Sequence, residues 1–310
     1  MLRPRIIPCL LVKNGGLVKT VRFGNPKYVG DPINAVRIFN EKEVDEIMVI
    51  DIDATAEKRD PDYVLIERMA EECRMPLCYG GGVKTSEQIQ RIVELGVEKV
   101  GLSSAAVQNP QIVREAAERV GSQSIVVVLD VKGSAPGAYE VRTHNGSRGT
   151  GKNPFELARQ MADAGAGEIV VNAIDQDGLM GGYDLALAEG VRAAVTVPLT
   201  VLGGAGTLAD IARLVGQFGS IGAAAGSLFV FKGVYRAVLI NYPTRAEKDA
   251  LIPSPPGRTA CDSCPSPIGD GRRRWGQSRT STRPTVRALF KRSVVGGGTH
   301  ILNQPQCFGA

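Results

Sequence analysis

Eight short runs of apolar and β-branched residues recur along roughly the first 240 residues, and longer segments with helical periodicity separate them. The runs are Arg5–Val12, Glu46–Ile50, Pro76–Tyr79, Glu98–Gly101, Ser124–Leu129, Glu168–Val171, Pro198–Leu202 and Ser220–Ala223. Helical patterns follow, as at Pro32–Asn40, Ser86–Leu95, Pro110–Val120, Pro154–Ala164 and Leu208–Gly216. Apolar strands alternating with helices imply a covered parallel sheet. Eight units predict a closed α/β barrel, the (β/α)8 or TIM barrel, over residues 1–248, since an open doubly wound sheet usually has about five or six strands.

An internal repeat divides this barrel into two related halves. Four short matches relate the first half to the second at offsets of 119 to 124 residues. They pair Met75–Thr85 with Val197–Thr207, Ile50–Asp53 with Ile174–Asp177, Leu10–Lys13 with Leu129–Lys132, and Ser104 with Ser227. One common period predicts two half-barrels of four units each, so residues related by the offset face each other across the barrel.

Residues 249–310 have a different composition from the body. They contain nine Lys or Arg residues against three Asp residues, and Pro, Gly, Ser and Arg dominate. This pattern predicts a basic, low-complexity, disordered tail. Cys261 and Cys264 have the spacing of one ligand pair of a zinc site. His300 and Cys307 do not have the spacing of a second pair, so we expect no metal there.

The body itself is close to electrically neutral, which gives no reason to expect a nucleic acid or a membrane as partner. Six cysteines at scattered spacings are typical of a reduced cytosolic protein rather than a disulfide framework. The apolar run Ile6–Val12 contains Pro8 and is too short for a secretory signal. We therefore expect a cytoplasmic protein, and no motif indicates a cofactor.

Glycine and serine residues cluster just after four of the predicted strands, at the barrel face where active sites lie. The clusters are Gly81 and Gly82, Ser103 and Ser104, Gly203 and Gly204, and Gly226 and Ser227. Bare backbone N–H groups before a helix can bind phosphate, although glycine is also common in tight turns for conformational reasons. The clusters after the third and fourth strands form one phosphate cradle, and those after the seventh and eighth strands form another. The repeat relates these two cradles, which predicts one elongated ligand with a phosphate at each end.

Five carboxylates follow strands at the same face: Asp51, Asp53, Asp130, Asp175 and Asp177. Such a carboxylate exchanges protons with a substrate, or it caps a loop or the next helix. The internal repeat predicts an Asp opposite Asp130 at position 11, where the chain has Leu11. One member of an expected acid–base pair is therefore replaced.

Four charged residues begin strands at the opposite face: Arg5, Glu46, Lys99 and Glu168. Charges at strand starts usually contact solvent, and exposed ion pairs contribute little stability. Two residues of each sign on four strands also suit a ring of ion pairs that closes the barrel axis. The sequence pattern leaves both interpretations open.

These residues occur in motifs that resemble the cyclase subunit of imidazole glycerol phosphate synthase, over residues 1 to about 242. The motifs are Arg5–Lys13, Asp51–Thr55, Gly80–Gly82, Ser122–Ser124, Ile174–Gly178, Gly182–Asp184 and Gly203–Gly206. The resemblance implies a glutaminase subunit docked under the barrel, whose ammonia travels along the axis to the strand ends. There it attacks a ribulosyl aminoimidazole ribotide with two phosphates, which yields imidazole glycerol phosphate and an aminoimidazole carboxamide ribotide.

The resemblance also assigns roles to single residues. The ammonia gate falls on Arg5, Glu46, Lys99 and Glu168, and a lid lysine falls on Lys19 in the loop 14–30. Asp130 matches one catalytic aspartate, and the other falls on Leu11. We place Asp51, Asp177 and Gly178 with the glycine and serine clusters among the ligand-binding residues.

Leu11 and the motifs around it look more like a paralogous branch of this family. That branch resembles ammonia-supplying partners of amidotransferases that convert an acetamido group of a surface-polysaccharide sugar to an acetamidino group. We therefore expect an ammonia-supplying subunit for such a sugar amidotransferase. The alternative is an active histidine-biosynthesis cyclase that works with Asp130 alone. A phosphosugar isomerase ranks third, because it also needs two aspartates and has no use for a gate.

Overall fold

The computed structural model describes residues 3–135 and 137–251. The predictions of a disordered tail and of no metal site there concern mainly residues 252–310, which lie outside the described residues. Eight parallel strands lie side by side in one sheet. The fifth and sixth of them along the chain form the two ends of this row of eight, and their pairing closes it into a barrel. The barrel strands are β1 (Arg5–Lys13), β4 (Ile47–Asp51), β5 (Leu77–Gly80), β6 (Lys99–Leu102), β7 (Ile125–Ala135), β10 (Glu168–Ala173), β11 (Leu199–Leu202) and β12 (Gly222–Ala225). The predicted (β/α)8 barrel is confirmed, and each predicted strand overlaps an observed one.

Helices alternate with the strands, and the longer ones pack on the outer face of the barrel, whereas the last, short helix buries no residue. The helices are α1 (Pro32–Glu41), α2 (Tyr63–Glu72), α3 (Ser86–Glu94), α4 (Ser104–Gln108), α5 (Gln111–Val120), α6 (Pro154–Asp163), α7 (Leu185–Ala194), α8 (Leu208–Phe218), α9 (Ser227–Val230) and α10 (Arg245–Ala250). Thr85 and Thr207 begin α3 and α8 with the same reciprocal capping box, 122 residues apart. Among residues 3–135 and 137–251, no helix has the length and apolar character needed to cross a membrane.

Two hairpins extend the barrel at the carboxyl ends of its strands. β2 (Gly16–Val21) and β3 (Gly24–Gly30) follow β1, while β8 (Ala138–Thr143) and β9 (Arg148–Gly149) follow β7. Residues 14–30, expected to form a loop, contain the strands of the first hairpin instead. In the turn between β2 and β3, Arg22 and Phe23 have positive φ. Such turns usually contain Asn-Gly, and because this one does not, the sequence pattern gives no sign of the turn.

The eighth unit departs from the pattern of the others. β12 is followed by the four-residue α9 and then by a small hairpin of β13 (Phe231–Lys232) and β14 (Ala237–Val238) instead of a long helix. Val234 and Tyr235 at its tip are 95% and 96% exposed. The chain then returns along the barrel, where the hydroxyl of Tyr242 donates to the carbonyl oxygen of Ile6 at 2.9 Å.

The barrel has two apolar cores because successive strand residues point to opposite faces. The larger core lies between the strands and the helices. The smaller one lies inside the barrel and consists of Ile7, Cys9, Met48, Cys78, Val126, Val128, Val170 and Ala224. We call this inner cluster the apolar shaft. It separates the two ends of the barrel axis, where the polar residues lie.

Candidate active site

The carboxyl ends of the barrel strands surround one cavity of about 290 Å³, which we call the mouth. Leu11 of β1, Asp130 of β7 and Asn172 of β10 line it, together with the turns after β5 and β6. In a (β/α)8 barrel, ligands bind at this face because the loops after all eight strands meet there. The mouth is therefore the candidate active site.

The first predicted phosphate cradle lies on one side of the mouth. Gly81, Gly82, Ser103 and Ser104 all line the cavity. Gly81 has φ +118°, and a Cβ atom there would collide with the carbonyl oxygen of Asp51. Only glycine fits this position, and it leaves the backbone N–H groups accessible to an anion.

The second predicted cradle surrounds a smaller cavity of about 40 Å³. Its lining includes Gly203, Gly204, Gly226 and Ser227. Gly204 has φ +107°, and a Cβ atom there would collide with the carbonyl oxygen of Gly182. The Oγ atom of Ser227 is buried and has no hydrogen-bond partner among the described residues. Buried hydroxyls are normally paired, so this position suits an oxygen atom of a bound ligand.

Lys19 lies in the second cradle rather than over the mouth. Its Nζ atom is 2.6 Å from Asp177 Oδ1, and its side chain is 6% exposed. The hydroxyl of Thr20 donates to the other oxygen of Asp177 at 2.8 Å. Gly178, at φ +72°, lets the backbone of Thr20 approach closely. The structure thus brings together Lys19, Asp177 and Gly178, and this contact fastens the β2–β3 hairpin to the loop after β10.

The two aspartates after β4 are held by the protein itself. Asp51 accepts hydrogen bonds from the backbone N–H groups of Asp53 and Ala54 and contacts Arg59 at 3.2 Å. Asp53 forms an ion pair with Lys13 at 2.6 Å. Asp51 therefore organises its loop with Arg59 beside it, and Lys13, which lines the mouth, is the cation paired with Asp53. Residues 3–135 and 137–251 contain no cluster of His, Cys, Asp and Glu arranged for a metal ion.

Asp130 is the carboxylate at the base of the mouth. Its Oδ1 atom accepts a hydrogen bond from Asn172 Nδ2 at 2.9 Å, and its Oδ2 atom lies 3.4 Å from Ser103 Oγ. Burial raises the pKa of Asp130 to about 6, although these two hydrogen bonds act in the opposite direction. A carboxyl with a pKa near neutrality can take up and release a proton, which suits a general base.

Leu11 lines both cavities, so it lies between the two cradles. It pairs with Ile50 of β4 and with Val18 of the hairpin. A leucine side chain has no proton to exchange and no hydrogen-bonding atom. Of the two positions where the repeat predicts a carboxylate, only Asp130 carries one.

The four charged residues at the other end of the axis form a closed ring. Arg5 contacts Glu46 at 2.5 Å and Glu168 at 2.7 Å, and Lys99 contacts the same two glutamates at 2.8 and 2.9 Å. Each positive charge thus touches both negative ones. Of the two interpretations left open by the sequence, the structure shows the ring, which lies below the apolar shaft.

Mutual attraction favours the ionised forms of Arg5, Lys99 and Glu168. Burial alone would raise the pKa of Glu168, but hydrogen bonds and charges from Arg5, Lys99 and Thr200 lower it to about 2. Burial would also lower the pKa of Lys99, and the two glutamates raise it instead. Arg5, Lys99 and Glu168 therefore carry fixed charges at neutral pH.

Sequence reasoning missed several residues of the site. Asn172 contacts Asp130, and Thr200 donates to Glu168 Oε1 at 2.6 Å. His144 and Asn145 reach the mouth from the turn between β8 and β9. Asn172 and Thr200 share the strand alternation of the shaft residues, so a search for polar residues at inward positions would have found them. Asn145 is followed by Gly146, and this Asn-Gly pair is a turn signal that could have indicated the second hairpin.

The closed barrel, the glycine cradles at its mouth and the charged ring below its shaft are together typical of the barrel proteins of histidine biosynthesis. A family model described as histidine biosynthesis protein matches residues 5–236, and the chain belongs to this family.

Individual relatives carry more specific names. A Leptospira interrogans protein, provisionally named imidazole glycerol phosphate synthase subunit HisF, is 55% identical over 253 residues, 81% of this chain and 100% of the relative. The Vibrio vulnificus protein provisionally named subunit hisF3 of this synthase is 60% identical over 253 residues, 81% of this chain and 97% of its own. The Pseudomonas aeruginosa protein provisionally named subunit hisF2 of this synthase is 51% identical over 243 residues, which are 78% of this chain and 97% of the relative. The resemblance to the cyclase subunit is thus confirmed, and the numbered names are consistent with a paralogous branch.

Proposed function

We propose that this chain is the ammonia-supplying barrel subunit of a glutamine amidotransferase complex. A glutaminase subunit docks at the face of the charged ring, and its ammonia passes through the ring and the apolar shaft to the mouth. A sugar amidotransferase then uses this ammonia to convert an acetamido group of a surface-polysaccharide sugar to an acetamidino group.

One observation carries this proposal: the ring and the shaft are complete, whereas the mouth retains only one of two expected carboxylates. In the ring, Arg5 and Lys99 each contact both glutamates within 3 Å. Above the shaft, Leu11 occupies the position opposite Asp130. Losing a positioned acid or base typically lowers a rate by about 10²–10⁴. A chain that keeps its transport parts and loses a catalytic group is suited to supply ammonia to another enzyme.

The alternative is an active cyclase with Asp130 as its only carboxyl catalyst. The two glycine cradles favour it, because a bis-phosphorylated ribotide needs both. The unpaired Oγ atom of Ser227 in the second cradle also fits an anion there. In both functions a phosphorylated small molecule binds at the mouth.

Turnover of the bis-phosphorylated ribulosyl ribotide separates the two functions. The full chain is assayed with ammonium salts at high pH, where more of the nitrogen is free ammonia, beside the variant Leu11→Asp. We expect no turnover by the unmodified chain and a gain in the variant. Turnover by the unmodified chain would establish the cyclase instead, and a variant without gain would show that further residues have diverged.

The role of the ring is tested separately in the complex with the glutaminase. We expect Lys99→Ala or Glu168→Ala to uncouple glutamine hydrolysis from ammonia transfer, because either change leaves an unbalanced charge at the entrance. Lys42, exposed on the same face of the barrel, provides the control variant Lys42→Ala. Unchanged coupling in both ring variants would contradict the proposed entry route.

A further inference from the structure

The upper end of the apolar shaft carries a hydrogen-bond acceptor that no described residue uses. Asn172 is 7% exposed, and its Oδ1 atom is buried without a partner among the described residues. The orientation of this amide is fixed, because Nδ2 donates to Asp130 and a flipped amide would place its oxygen against the carboxylate. A buried acceptor without a partner is costly, so its presence indicates a ligand that donates a hydrogen bond to it.

Asp130 provides a second acceptor beside Asn172. Its carboxylate receives one hydrogen bond from Asn172 and a long one from Ser103, and an ionised carboxylate offers about four acceptor positions. Both residues line the mouth, so the free positions are accessible from the cavity. The nearby lining residues Leu11 and Leu202 are apolar, so their side chains offer no other acceptor to a ligand that donates hydrogen bonds here.

The position of this acceptor pair defines the kind of ligand it suits. Cys9 and Val128 belong to the apolar shaft and also line the mouth, so the pair lies where the shaft meets the mouth. A neutral molecule that crosses an apolar shaft must be small. It must also donate at least two hydrogen bonds at this junction. Ammonia meets both conditions.

We propose that Asn172 and Asp130 form an ammonia-binding site at the junction of the shaft and the mouth, a proposal that rests on the ammonia-supplying function proposed above. Ammonia donates one N–H to Asn172 Oδ1 and another to the carboxylate of Asp130. Its lone pair is then directed away from both acceptors, toward the mouth.

The same arrangement handles the proton when ammonia reacts with an electrophilic carbon at the mouth. The lone pair of nitrogen forms the N–C bond, and the electron pair displaced from carbon stays on the electrophile. The nitrogen becomes positively charged, and one N–H proton passes to Asp130, which leaves a neutral amine and a neutral carboxyl group. The pKa of Asp130, raised by burial to about 6, makes it a better proton acceptor than an exposed aspartate.

The ionisation of Asp130 itself tests the proposal. Carbon-13 NMR of the full chain labelled at aspartate Cγ gives the pKa of this carboxyl, and Asp130→Asn identifies its signal. Titrations are run in ammonium chloride and in potassium chloride, because the two cations have similar size and only ammonium donates hydrogen bonds. At the pH where Asp130 ionises, nearly all of the nitrogen is ammonium, which offers the same N–H donors as ammonia and serves as its probe at this site. We expect ammonium to lower the pKa of Asp130 by about half a pH unit or more relative to potassium, since a bound cation favours the ionised form.

Three variants assign this effect to the pair. Asn172→Leu removes both polar atoms of the amide with little change of shape and should abolish the difference between the two salts, and Asn172→Ala, which also lacks the amide, should do the same. Ser227→Ala, which removes an unpaired hydroxyl of the second cradle, should leave the difference intact. Equal pKa values in both salts, or a difference that persists without Asn172, would overturn the proposal. The measurement needs no acceptor enzyme, so the ammonia site is tested even if the sugar substrate is wrong.

Discussion

Asp130 should make the folded protein less stable at neutral pH than its amide variant. Its pKa is about 6 in the folded state, where burial is the main cause, against an ordinary value of 3.8. Below about pH 3.8 the carboxyl is protonated in both states and contributes no difference. Between these values the unfolded chain ionises first, so folding stability falls as the pH rises. Above about pH 6 the loss is complete and constant.

The size of this loss follows from the pKa difference. One pH unit corresponds to about 1.4 kcal/mol, so the ionised carboxylate costs at most about 3 kcal/mol. Asp130→Asn removes the charge and keeps an oxygen that accepts from Asn172. We therefore expect the variant to be more stable by about 2–3 kcal/mol at pH 7.5, and by only a few tenths of a kcal/mol at pH 4.

Thermal unfolding followed by circular dichroism at the two pH values measures this difference. For a chain of this size, the expected gain raises the midpoint at pH 7.5 by about 4–12 °C. The control is Asp53→Asn, since Asp53 lies at the same face but is paired with Lys13 at 2.6 Å. That variant should gain nothing at pH 7.5. A midpoint of Asp130→Asn that is unchanged, or that rises equally at both pH values, would refute the reasoning.

Two further predictions concern the ring and the second cradle. Glu168, with its pKa lowered to about 2 by Arg5, Lys99 and Thr200 against the effect of burial, stabilises the fold above about pH 4.5 and loses this contribution as the pH falls toward 2. Glu168→Gln should therefore be less stable than the unmodified chain at pH 7, by a margin that narrows between pH 4.5 and 2 in acid-unfolding curves. Gly204→Ala should lower the free energy of unfolding by more than about 1 kcal/mol, because Gly204 has φ +107° and a Cβ would collide with Gly182. Gly216→Ala in α8, where a Cβ meets nothing within 4 Å, should instead be neutral or stabilising in the same urea titration.

The barrel was predictable from the sequence because its strands are buried on both faces. Such strands appear as continuous apolar runs, as at Ile47–Asp51 and Glu168–Ala173, and the repeat fixes their number. The additional hairpins were predictable only in part. Asn14-Gly15 and Asn145-Gly146 lie in two of their turns and are strong hairpin signals, whereas Arg22 and Phe23 between β2 and β3 give no such signal. The departure at the eighth unit has a similar origin, because Phe231–Leu239 mixes apolar and basic residues without a clear period.

The candidate site was predictable where backbone chemistry requires one residue type. Gly81 and Gly204 adopt backbone conformations that other residues rarely adopt, so the sequence pattern identifies them. Contacts between side chains that are far apart in the sequence were harder to predict. The sequence gives Lys19 and Asp177 no visible relation, yet they form an ion pair across 158 positions. Asn172 was missed for the same reason, because its role depends on the neighbouring strand that carries Asp130.

The ring at the base of the barrel constrains how this protein can change over evolutionary time. Glu46 and Glu168 are nearly inaccessible to solvent, and each depends on both cations. A single codon change that removes one charge leaves a buried excess of the opposite sign, which typically costs about 3–5 kcal/mol. Most natural domains have a total stability of only about 5–15 kcal/mol. The ring can therefore be exchanged between Arg and Lys step by step, whereas any single change that removes one of its charges costs a large fraction of the total stability. We expect the ring to be retained while residues of the mouth change.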